Sequence, residues 1–192
     1  MATKLDMSKA FDRVEWFFIQ RVMERMGFNT RWINWVMLCI TTVSYSVIIN
    51  GVVWGNITPT RGLCQGDPFS LSLFLLCVEG LSAVVNEAAR NQQWMSISIC
   101  RGCPRITHLF FADDSILFSK ANAKESQKLK QILQTYEEAF GQKINIEKSS
   151  MFFSPNMPQS VKEKIFAILG PMQGSKHSKY LGLPSFIGRS KK

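Results

Sequence analysis

Apolar and polar residues follow two different periods along this chain, and the two periods predict its helices and strands. A spacing of three and four residues between apolar positions predicts helices, whereas alternation or a short apolar run bounded by turn residues predicts strands. The predicted helices cover 13–26, 30–41, 68–91, a segment ending at 140, and 161–169. The predicted strands cover 3–6, 45–49, 52–57, 95–99, 109–112, 116–119, 144–153 and 180–186.

Turn and cap residues mark the ends of these elements. Asn50-Gly51 is the strongest short hairpin signal, and Asp113-Asp114-Ser115 joins two apolar runs in a second predicted hairpin. Asp67 and Pro68 suit the N-cap and the first position of the long helix. With the additional helices set aside, the order is β–α–ββ–α–β. This order predicts an α+β fold with a ferredoxin-like sheet and helices packed on one face.

The composition indicates a folded domain with an excess of positive charge. Hydrophobic residues make up 46% of the 192 residues and charged residues 19%, which excludes a disordered chain. The 23 basic and 14 acidic residues give a net charge of +9. Residues 1–100 hold 8 basic and 7 acidic side chains, whereas 101–192 hold 15 and 7. The excess in the second half favours a polyanionic partner, either a nucleic acid or a membrane surface.

Hydropathy and cysteine usage argue against a membrane span and against secretion. The longest uninterrupted apolar run, Leu73–Val78, is far shorter than the ~20 residues that a spanning helix needs. We therefore expect no membrane association. The five cysteines are odd in number and scattered, which predicts reduced thiols inside a cell. Cys100 and Cys103 form a C-x-x-C pair close to His108. We expect loop thiols there, with a zinc site as the alternative.

The adjacent acids Asp113 and Asp114 are the most informative side chains. They lie between two apolar runs that we expect to be buried, and their like charges repel. A Mg²⁺ ion would resolve that repulsion, because it binds carboxylate oxygens and retains waters for a phosphate substrate. The alternative is a solvated Asp-Asp turn.

A third acid, Asp6, ends the first predicted strand. In a ferredoxin-like sheet the first and third strands are neighbours, so we expect Asp6 to face Asp113 across the sheet. Three carboxylates at one sheet edge suit two-metal phosphoryl transfer. The alternative for Asp6 is a cap or turn acid, and Asp12 suits the N-cap of the helix that we predict from Arg13.

Five segments carry a resemblance to a known family. They read LDMSKAFD at 5–12, RGLCQGDPFS at 61–70, FADD at 111–114, GQKINIEKS at 141–149 and YLGLP at 180–184. In order and rough spacing they resemble motifs A to E of a reverse transcriptase palm. The closest variety is the LINE-type, non-LTR retrotransposon enzyme common in plant genomes. The resemblance implies an RNA-directed DNA polymerase that adds deoxynucleotides to a primer 3′-end.

The resemblance also implies roles for individual residues. Asp6, Asp113 and Asp114 would bind two Mg²⁺ ions, with Mn²⁺ as a substitute. The ring of Phe11 would crowd a ribose 2′-hydroxyl and so select deoxynucleotides, although by pattern alone Phe11 is a core residue. The residues implied to line the incoming nucleotide and template are Phe11, Arg61, Gln65 and Gly66. A tight turn before a capped helix is the alternative for Gly66 and leaves Arg61 and Gln65 unexplained.

The remaining implied roles lie in the second half of the chain. Lys148 would protonate the pyrophosphate leaving group, with a surface charge as the alternative. Leu181 and Gly182 would form the primer grip. The basic residues expected to hold the RNA template and DNA primer without reading sequence are Lys143, Lys148, Lys162, Lys164, Lys176, Lys179, Arg189, Lys191 and Lys192. The lysines of 124–130 are better explained as a solvated helix face.

The chain also departs from the family pattern. Cys64 stands where Arg is usual and Leu71 where Pro is usual. We expect 1–186 to be the palm and 187–192 a disordered basic tail, without the fingers and thumb. We therefore expect weak or no synthesis from this fragment alone, exposed apolar surface, and a protein partner that covers the exposed palm edge.

Two other functions fit the same residues. One is a non-catalytic, maturase-like RNA-binding protein, and the other is the remnant of a decayed element. Intact carboxylates favour the enzyme, whereas the positive second half favours the binder. No targeting segment is visible, and we expect an intracellular protein. The resemblance to retrotransposon enzymes implies the nucleus rather than the cytoplasm or an organelle.

Overall fold

Helices and short strands alternate along the chain in the computed structural model, which describes residues 1–98, 100–173, 179–180 and 183–184. The helices are α1 (Trp16–Arg25), α2 (Thr30–Thr41), α3 (Pro68–Arg90), α4 (Ala123–Phe140) and α5 (Gln159–Leu169). The strands are β1 (Ala2–Leu5), β2 (Tyr45–Ile49), β3 (Val52–Ile57), β4 (Ile97–Ser98), β5 (Arg105–Ile106), β6 (His108–Phe111), β7 (Asp114–Phe118), β8 (Ser150–Phe152), β9 (Lys179–Tyr180) and β10 (Leu183–Pro184). The protein therefore has a mixed α and β architecture.

Local signals at the helix ends account for most of the helix boundaries. The Asp67 carboxylate accepts a hydrogen bond from the Phe69 backbone N–H at 3.0 Å and caps α3, as predicted. Gly141 ends α4 in the left-handed conformation with φ 69°, also as predicted. α1, however, begins at Trp16, because the residues before it form turns in which the Arg13 N–H donates to the Lys9 carbonyl.

That later start removes the role predicted for Asp12. The N-cap of α1 is Glu15, whose side chain makes no cap hydrogen bond, and Asp12 is exposed in the preceding turn. The prediction that Asp12 caps this helix was wrong, because sequence spacing alone did not reveal the turn that delays it.

Four strands form an antiparallel sheet in the order β6-β7-β1-β8. β1 pairs with β7 from Ala2↔Phe118 to Leu5↔Ser115. One face of the sheet lies in the core, since its inward residues are at most 1% exposed. These residues are Thr3, Leu5, Ser115 and Leu117. Fully buried side chains of α3 and α4 belong to the same hydrophobic cluster, so these helices cover the inner face of the sheet.

α3 is apolar enough by length and composition to cross a membrane. Part of its surface is buried against the rest of the chain, including Phe74, Cys77 and Leu81, each 0% exposed. Burial raises the pKa of the Cys77 thiol to about 12, so that this cysteine stays protonated near neutral pH. These contacts are those of a core helix.

The β2–β3 hairpin matches its prediction residue for residue. Asn50 and Gly51 both have positive φ, 50° and 80°, as the favoured two-residue hairpin turn requires. All residues of both strands are exposed. The two strands of the hairpin therefore pair with each other and lie outside the core.

Three other strand predictions need correction. The strand predicted at 144–153 is reduced to β8, because Asn145 starts a turn in which its carbonyl accepts from the Ser149 N–H at 2.9 Å. The strand predicted at 95–99 is reduced to β4, which pairs with β5. The extended piece predicted at 180–186 is described only in part, as the antiparallel pair β9 and β10.

The cysteine prediction also needs correction. Cys100 and Cys103, predicted as loop thiols, are joined by a disulfide. Cys39, Cys64 and Cys77 are free, as expected.

Candidate functional site

Strand register brings two of the predicted carboxylates to one face of the sheet. The last β1–β7 pair is Leu5↔Ser115, so the next position places Asp6 opposite Asp114. Side chains alternate between faces along a strand, and both acids therefore lie on the face opposite the core. On this open face the Lys4 ammonium lies 3.1 Å from an Asp114 carboxylate oxygen, with both side chains partly exposed.

The third predicted carboxylate, Asp113, lies in the turn. Because Phe111 pairs with Asp114, the turn consists of Ala112 and Asp113. The turn predicted at Asp113, Asp114 and Ser115 therefore begins one residue earlier, at Ala112. As a result Asp114, and not Asp113, faces Asp6. The shift arises because Ala112 adopts a positive φ of 50°, which a sequence reading does not expect of alanine.

The open face also carries exposed apolar side chains beside the acids. Leu109 and Phe111 of β6 are 46% and 61% exposed, while Leu117 of β7 is 1% exposed. The expectation that both apolar runs are buried was therefore wrong for alternate residues of β6. The strands are continuous apolar runs in sequence, but only one face of the sheet is covered.

The segment after α4 holds the backbone of Asp6 from both sides. The Asp6 N–H donates to the buried Ser149 hydroxyl at 3.1 Å, and the Asp6 carbonyl accepts from the Asn145 N–H at 2.8 Å. The Lys148 N–H donates to the Asn145 side-chain oxygen at 3.1 Å, and the Lys148 side chain is exposed. Motif D is therefore hydrogen-bonded to motif A, and Lys148 lies close in sequence to the residues that hold Asp6.

The loop before α3 docks on the segment after Asp6. The Gly62 N–H donates to the Val14 carbonyl at 2.8 Å, and the Leu63 N–H donates to the Phe11 carbonyl at 2.9 Å. The Trp16 indole N–H donates to the Gly62 carbonyl at 2.7 Å. Gly62 has φ +90°, and a Cβ there would lie 2.8 Å from the Asp12 carbonyl oxygen. Glycine is therefore required for this close approach.

A cavity of about 280 Å³ lies next to this loop. It is lined by Asp12, Cys39, Ile40, Val43, Tyr45, Pro59, Arg61, Gly62, Leu63, Cys64, Gln65, Asp67 and Ser70. The structure thus brings together the predicted nucleotide-binding residues Arg61 and Gln65, with Arg61 also 3.3 Å from the Glu15 carboxylate. Partial loss of solvent around the Tyr45 hydroxyl raises the pKa of Tyr45 in this lining, and the neighbouring Cys64 adds to the effect.

Phe11 is absent from this lining, and its partly buried side chain packs against the hydrophobic core. Its ring stacks on that of Phe74 with the centroids 4.6 Å apart. Gly66 has a positive φ of 97° directly before the N-cap Asp67. The predicted primer-grip residues Leu181 and Gly182 lie outside the described residues, as does the basic tail at 187–192.

Several residues at this site were missed by sequence reasoning. Lys4 pairs with Asp114, and it could have been found because it precedes Asp6 by two positions and so shares its face of the strand. Ser149 and Gln142 lie in the segment at 141–149 that resembles motif D, but no role was predicted for either side chain. The Gln142 side-chain amide donates to the Ala10 carbonyl at 2.7 Å from a buried position. These two polar residues hold motif A through long-range contacts.

The open face offers carboxylate oxygens to a divalent cation. Carboxylates are suitable ligands for a hard cation, and the register brings Asp6 opposite Asp114. Within the part of the chain that the structure describes, no three His, Cys, Asp or Glu side chains are grouped closely enough to hold a metal ion. The ligand types therefore fit, while one oxygen of Asp114 is engaged by Lys4.

Comparison with known proteins identifies the family. The family model described as reverse transcriptase (RNA-dependent DNA polymerase) matches residues 1–185, so the chain belongs to the reverse transcriptase family. It is 28% identical over 188 residues to the retrovirus-related Pol polyprotein from the type-1 retrotransposable element R2 of Popillia japonica. It is 23% identical over 179 residues to the transposon TX1 uncharacterized 149 kDa protein of Xenopus laevis. Both relatives are named as proteins of transposable elements, which agrees with the resemblance to the LINE-type, non-LTR enzymes. The reverse transcriptase family is one of nucleotidyltransferases.

The relatives are matched over different shares of their length. The two transposon proteins align with 93% of this chain, which spans 30% and 13% of their own lengths. A third relative, an uncharacterized mitochondrial protein of Arabidopsis thaliana, is 48% identical over 68 residues, 35% of this chain and 56% of that protein. The chain thus spans about half or less of the curated relatives described.

Proposed function

We propose that this chain is the palm of a LINE-type reverse transcriptase that adds deoxynucleotides to a primer 3′-end on an RNA template. The observation that carries the proposal is the β1–β7 register, which puts Asp6 opposite Asp114 on the open face with Asp113 in the adjoining turn. The order β6-β7-β1-β8 in antiparallel pairs supports a ferredoxin-like palm.

Asp6, Asp113 and Asp114 are the residues that would hold the two Mg²⁺ or Mn²⁺ ions. When bound, such ions activate an attacking oxygen and neutralise a triphosphate leaving group. The Lys4 ammonium group would compete with an ion for Asp114, because it already neutralises one oxygen of that carboxylate. The hydrogen bonds of Ser149 and Asn145 to the Asp6 backbone fix the position from which its carboxylate acts.

The proposed nucleotide-binding residues are held by the docked loop. Arg61 and Gln65 line the cavity and offer a cation, a donor and an acceptor to a nucleotide. Gly66 would let the backbone approach the ligand, and the Phe11 ring, held against Phe74, would exclude a ribose 2′-hydroxyl. The roles of Lys148 as general acid, and of Leu181 with Gly182 as primer grip, stay predictions.

The proposed partners are an RNA template, a DNA primer and deoxynucleoside triphosphates. The net charge of +9 supports a polyanionic partner. The protein partner, the exclusion of a membrane and the nuclear location stay predictions. The partner was predicted at the exposed palm edge, and the exposed apolar residues of the β2–β3 hairpin offer a further surface for it.

Primer extension by the purified 192-residue chain tests the proposal. The assay contains an RNA template, a DNA primer, deoxynucleotides and Mg²⁺ or Mn²⁺. We expect Asp114→Asn and Asp6→Asn to lower extension by at least about 10²-fold, as for loss of a group that stabilises transition-state charge. Glu138→Gln is the control, since Glu138 is an exposed acid of α4 that lies outside the proposed ion site and outside the lining of the nucleotide cavity.

The outcomes separate the proposal from its alternatives. Extension that is equal in wild type and Asp114→Asn contradicts the assignment of the carboxylates. Template binding that survives both variants, weakens with salt and is not accompanied by extension favours the RNA-binding protein. A folded chain that neither extends nor binds favours the decayed remnant.

A further inference from the structure

β6 is the edge strand of the four-stranded sheet, and it leads directly into the Ala112–Asp113 turn. On one side it pairs with β7. Leu109 and Phe111 project to the exposed open face, so they do not anchor the strand to the core. On the inner side, His108 provides a polar contact with α3, because its Nε2 lies 3.1 Å from the hydroxyl of Ser82.

His108 belongs to a closed ring of four hydrogen-bonded side chains. Its Nδ1 lies 2.8 Å from the Thr107 hydroxyl, which donates to the Asn86 side-chain oxygen at 3.4 Å. The Asn86 amide donates to the Ser82 hydroxyl at 3.4 Å. The Ser82 hydroxyl lies 3.1 Å from His108 Nε2, and this contact closes the ring. The ring joins two residues of α3, Ser82 and Asn86, to two residues at the start of β6.

The proton positions in this ring follow from counting donors. Thr107 has one hydroxyl proton and donates it to Asn86, so it must accept from His108, which places the imidazole proton on Nδ1. The other nitrogen, Nε2, is then an acceptor for the Ser82 hydroxyl. With a neutral imidazole, every donor points the same way around the ring. A second proton on Nε2 would meet the Ser82 hydroxyl proton, so Ser82 would have to turn its hydroxyl away and give up its donation to His108.

We propose that neutral His108 is a positioning residue that fixes β6, the edge strand of the β6–β7 hairpin, against α3, and that protonation of its imidazole releases β6 and the turn that follows it. The consequence for Asp113 and Asp114 rests on the proposed function, since they would bind the ions. α3 begins at the Asp67 cap beside the nucleotide-lining loop. The ring therefore couples the helix that follows motif B to the hairpin of motif C.

The surroundings of His108 support the neutral form. Burial lowers the pKa of His108, and the nearby Glu79 of α3 acts in the opposite direction. The Phe110 ring stacks on the imidazole with centroids 4.3 Å apart, and the residue paired with His108 on β7 is the apolar Leu117.

Nuclear magnetic resonance of the whole chain tests the proposal directly. His177→Gln leaves His108 as the only histidine, so its ring signal can be followed from pH 8 to pH 5. We expect the backbone amides of Ala112 and Asp113 to shift with the same midpoint as the His108 ring. In Ser82→Ala, which removes the donor to Nε2, we expect the His108 midpoint to move to higher pH. Ser72→Ala, an exposed serine of the same helix, is the control and should leave the midpoint unchanged.

A second measurement connects the ring to the proposed ion site. Mn²⁺ affinity is measured by water relaxation at pH 7.5 and pH 5.5 for wild type and His108→Gln. We expect wild type to lose at least about threefold more affinity than the variant on acidification, because only wild type releases β6 and its turn. Equal losses in the two proteins, or turn amides that do not follow His108, would overturn the proposal. Absence of Mn²⁺ binding at both pH values contradicts the proposed function instead, while the amide shifts still decide the role of His108.

Discussion

The β2–β3 and β6–β7 hairpins are both antiparallel pairs closed by two-residue turns, but they occupy opposite environments. Ile48 and Val53 of the first hairpin are 70% and 65% exposed, although both are apolar. Leu117 of the second hairpin is 1% exposed. β7 is paired on both sides, with β6 and β1, whereas among the described residues β2 and β3 pair only with each other.

This difference shows that hairpin formation and burial are decided separately. The turn residues and β-branched side chains suffice to pair β2 with β3, because these are neighbouring contacts along the chain. Burial of β7 requires β1, which lies more than a hundred residues earlier. The same kind of apolar run is therefore a core strand in one place and a solvent-exposed ribbon in the other.

The largest difference between the two hairpins should appear when an apolar side chain is truncated in each of them. We expect Leu117→Ala to lower the free energy of unfolding by about 2–5 kcal/mol, because it leaves a cavity in a close-packed core. We expect Val53→Ala to change it by less than about 0.5 kcal/mol, because its side chain is already solvated. Urea unfolding measures both values. A loss at Val53 as large as that at Leu117 would mean that β2–β3 is covered in solution.

Exchanging the turn residues should give smaller effects of opposite sign. Gly51→Ala forces an alanine to a φ of 80°, and we expect it to destabilise the first hairpin by about 1–2 kcal/mol. Ala112→Gly removes the same penalty at a φ of 50°, and we expect it to stabilise the protein by up to about 1 kcal/mol. Thermal and urea unfolding of both variants check these signs. Destabilisation by Ala112→Gly would show that the methyl group makes contacts that outweigh the strain.

The smallest effect should be the pH dependence contributed by His108. Its pKa is lowered in the folded protein by burial, so the unfolded chain binds the proton first as the pH falls. The contribution is therefore fully present above about pH 6.5, the ordinary histidine value, and is lost as the pH falls toward the folded pKa. Wild type should lose more stability than His108→Gln between pH 7.5 and pH 5.5. Parallel stability curves for the two proteins would contradict this expectation.

Helix and turn signals in the sequence predicted elements whose causes are local. α2 and both strands of the β2–β3 hairpin have the predicted bounds, and Asp67, Gly141 and Asn50-Gly51 act as predicted. Predictions failed where a distant contact intervenes. Asp12 does not cap α1, since the turn before Trp16 is docked against the Gly62 loop.

For the candidate site, the sequence supplied the residue types and the structure supplied their arrangement. The acids Asp6, Asp113 and Asp114 and the cavity residues Arg61 and Gln65 were identified from pattern and resemblance. The pairing of Asp6 with Asp114 was not, because a one-residue shift in the turn reverses which acid faces the neighbouring strand. Site roles that depend on bound ions or nucleic acid stay predictions.

The sequence by itself determined the helices, the first hairpin, the family motifs and the positive charge, because each depends on residues close together in the chain or on composition. Only the tertiary structure decided the strand order, the Lys4–Asp114 pair, the backbone contacts that hold Asp6 and the ring around His108. These features join residues far apart in sequence, and their register is set by which faces the core buries. The local periodicity of apolar residues does not specify this register, since the same alternation of side chains fits either register.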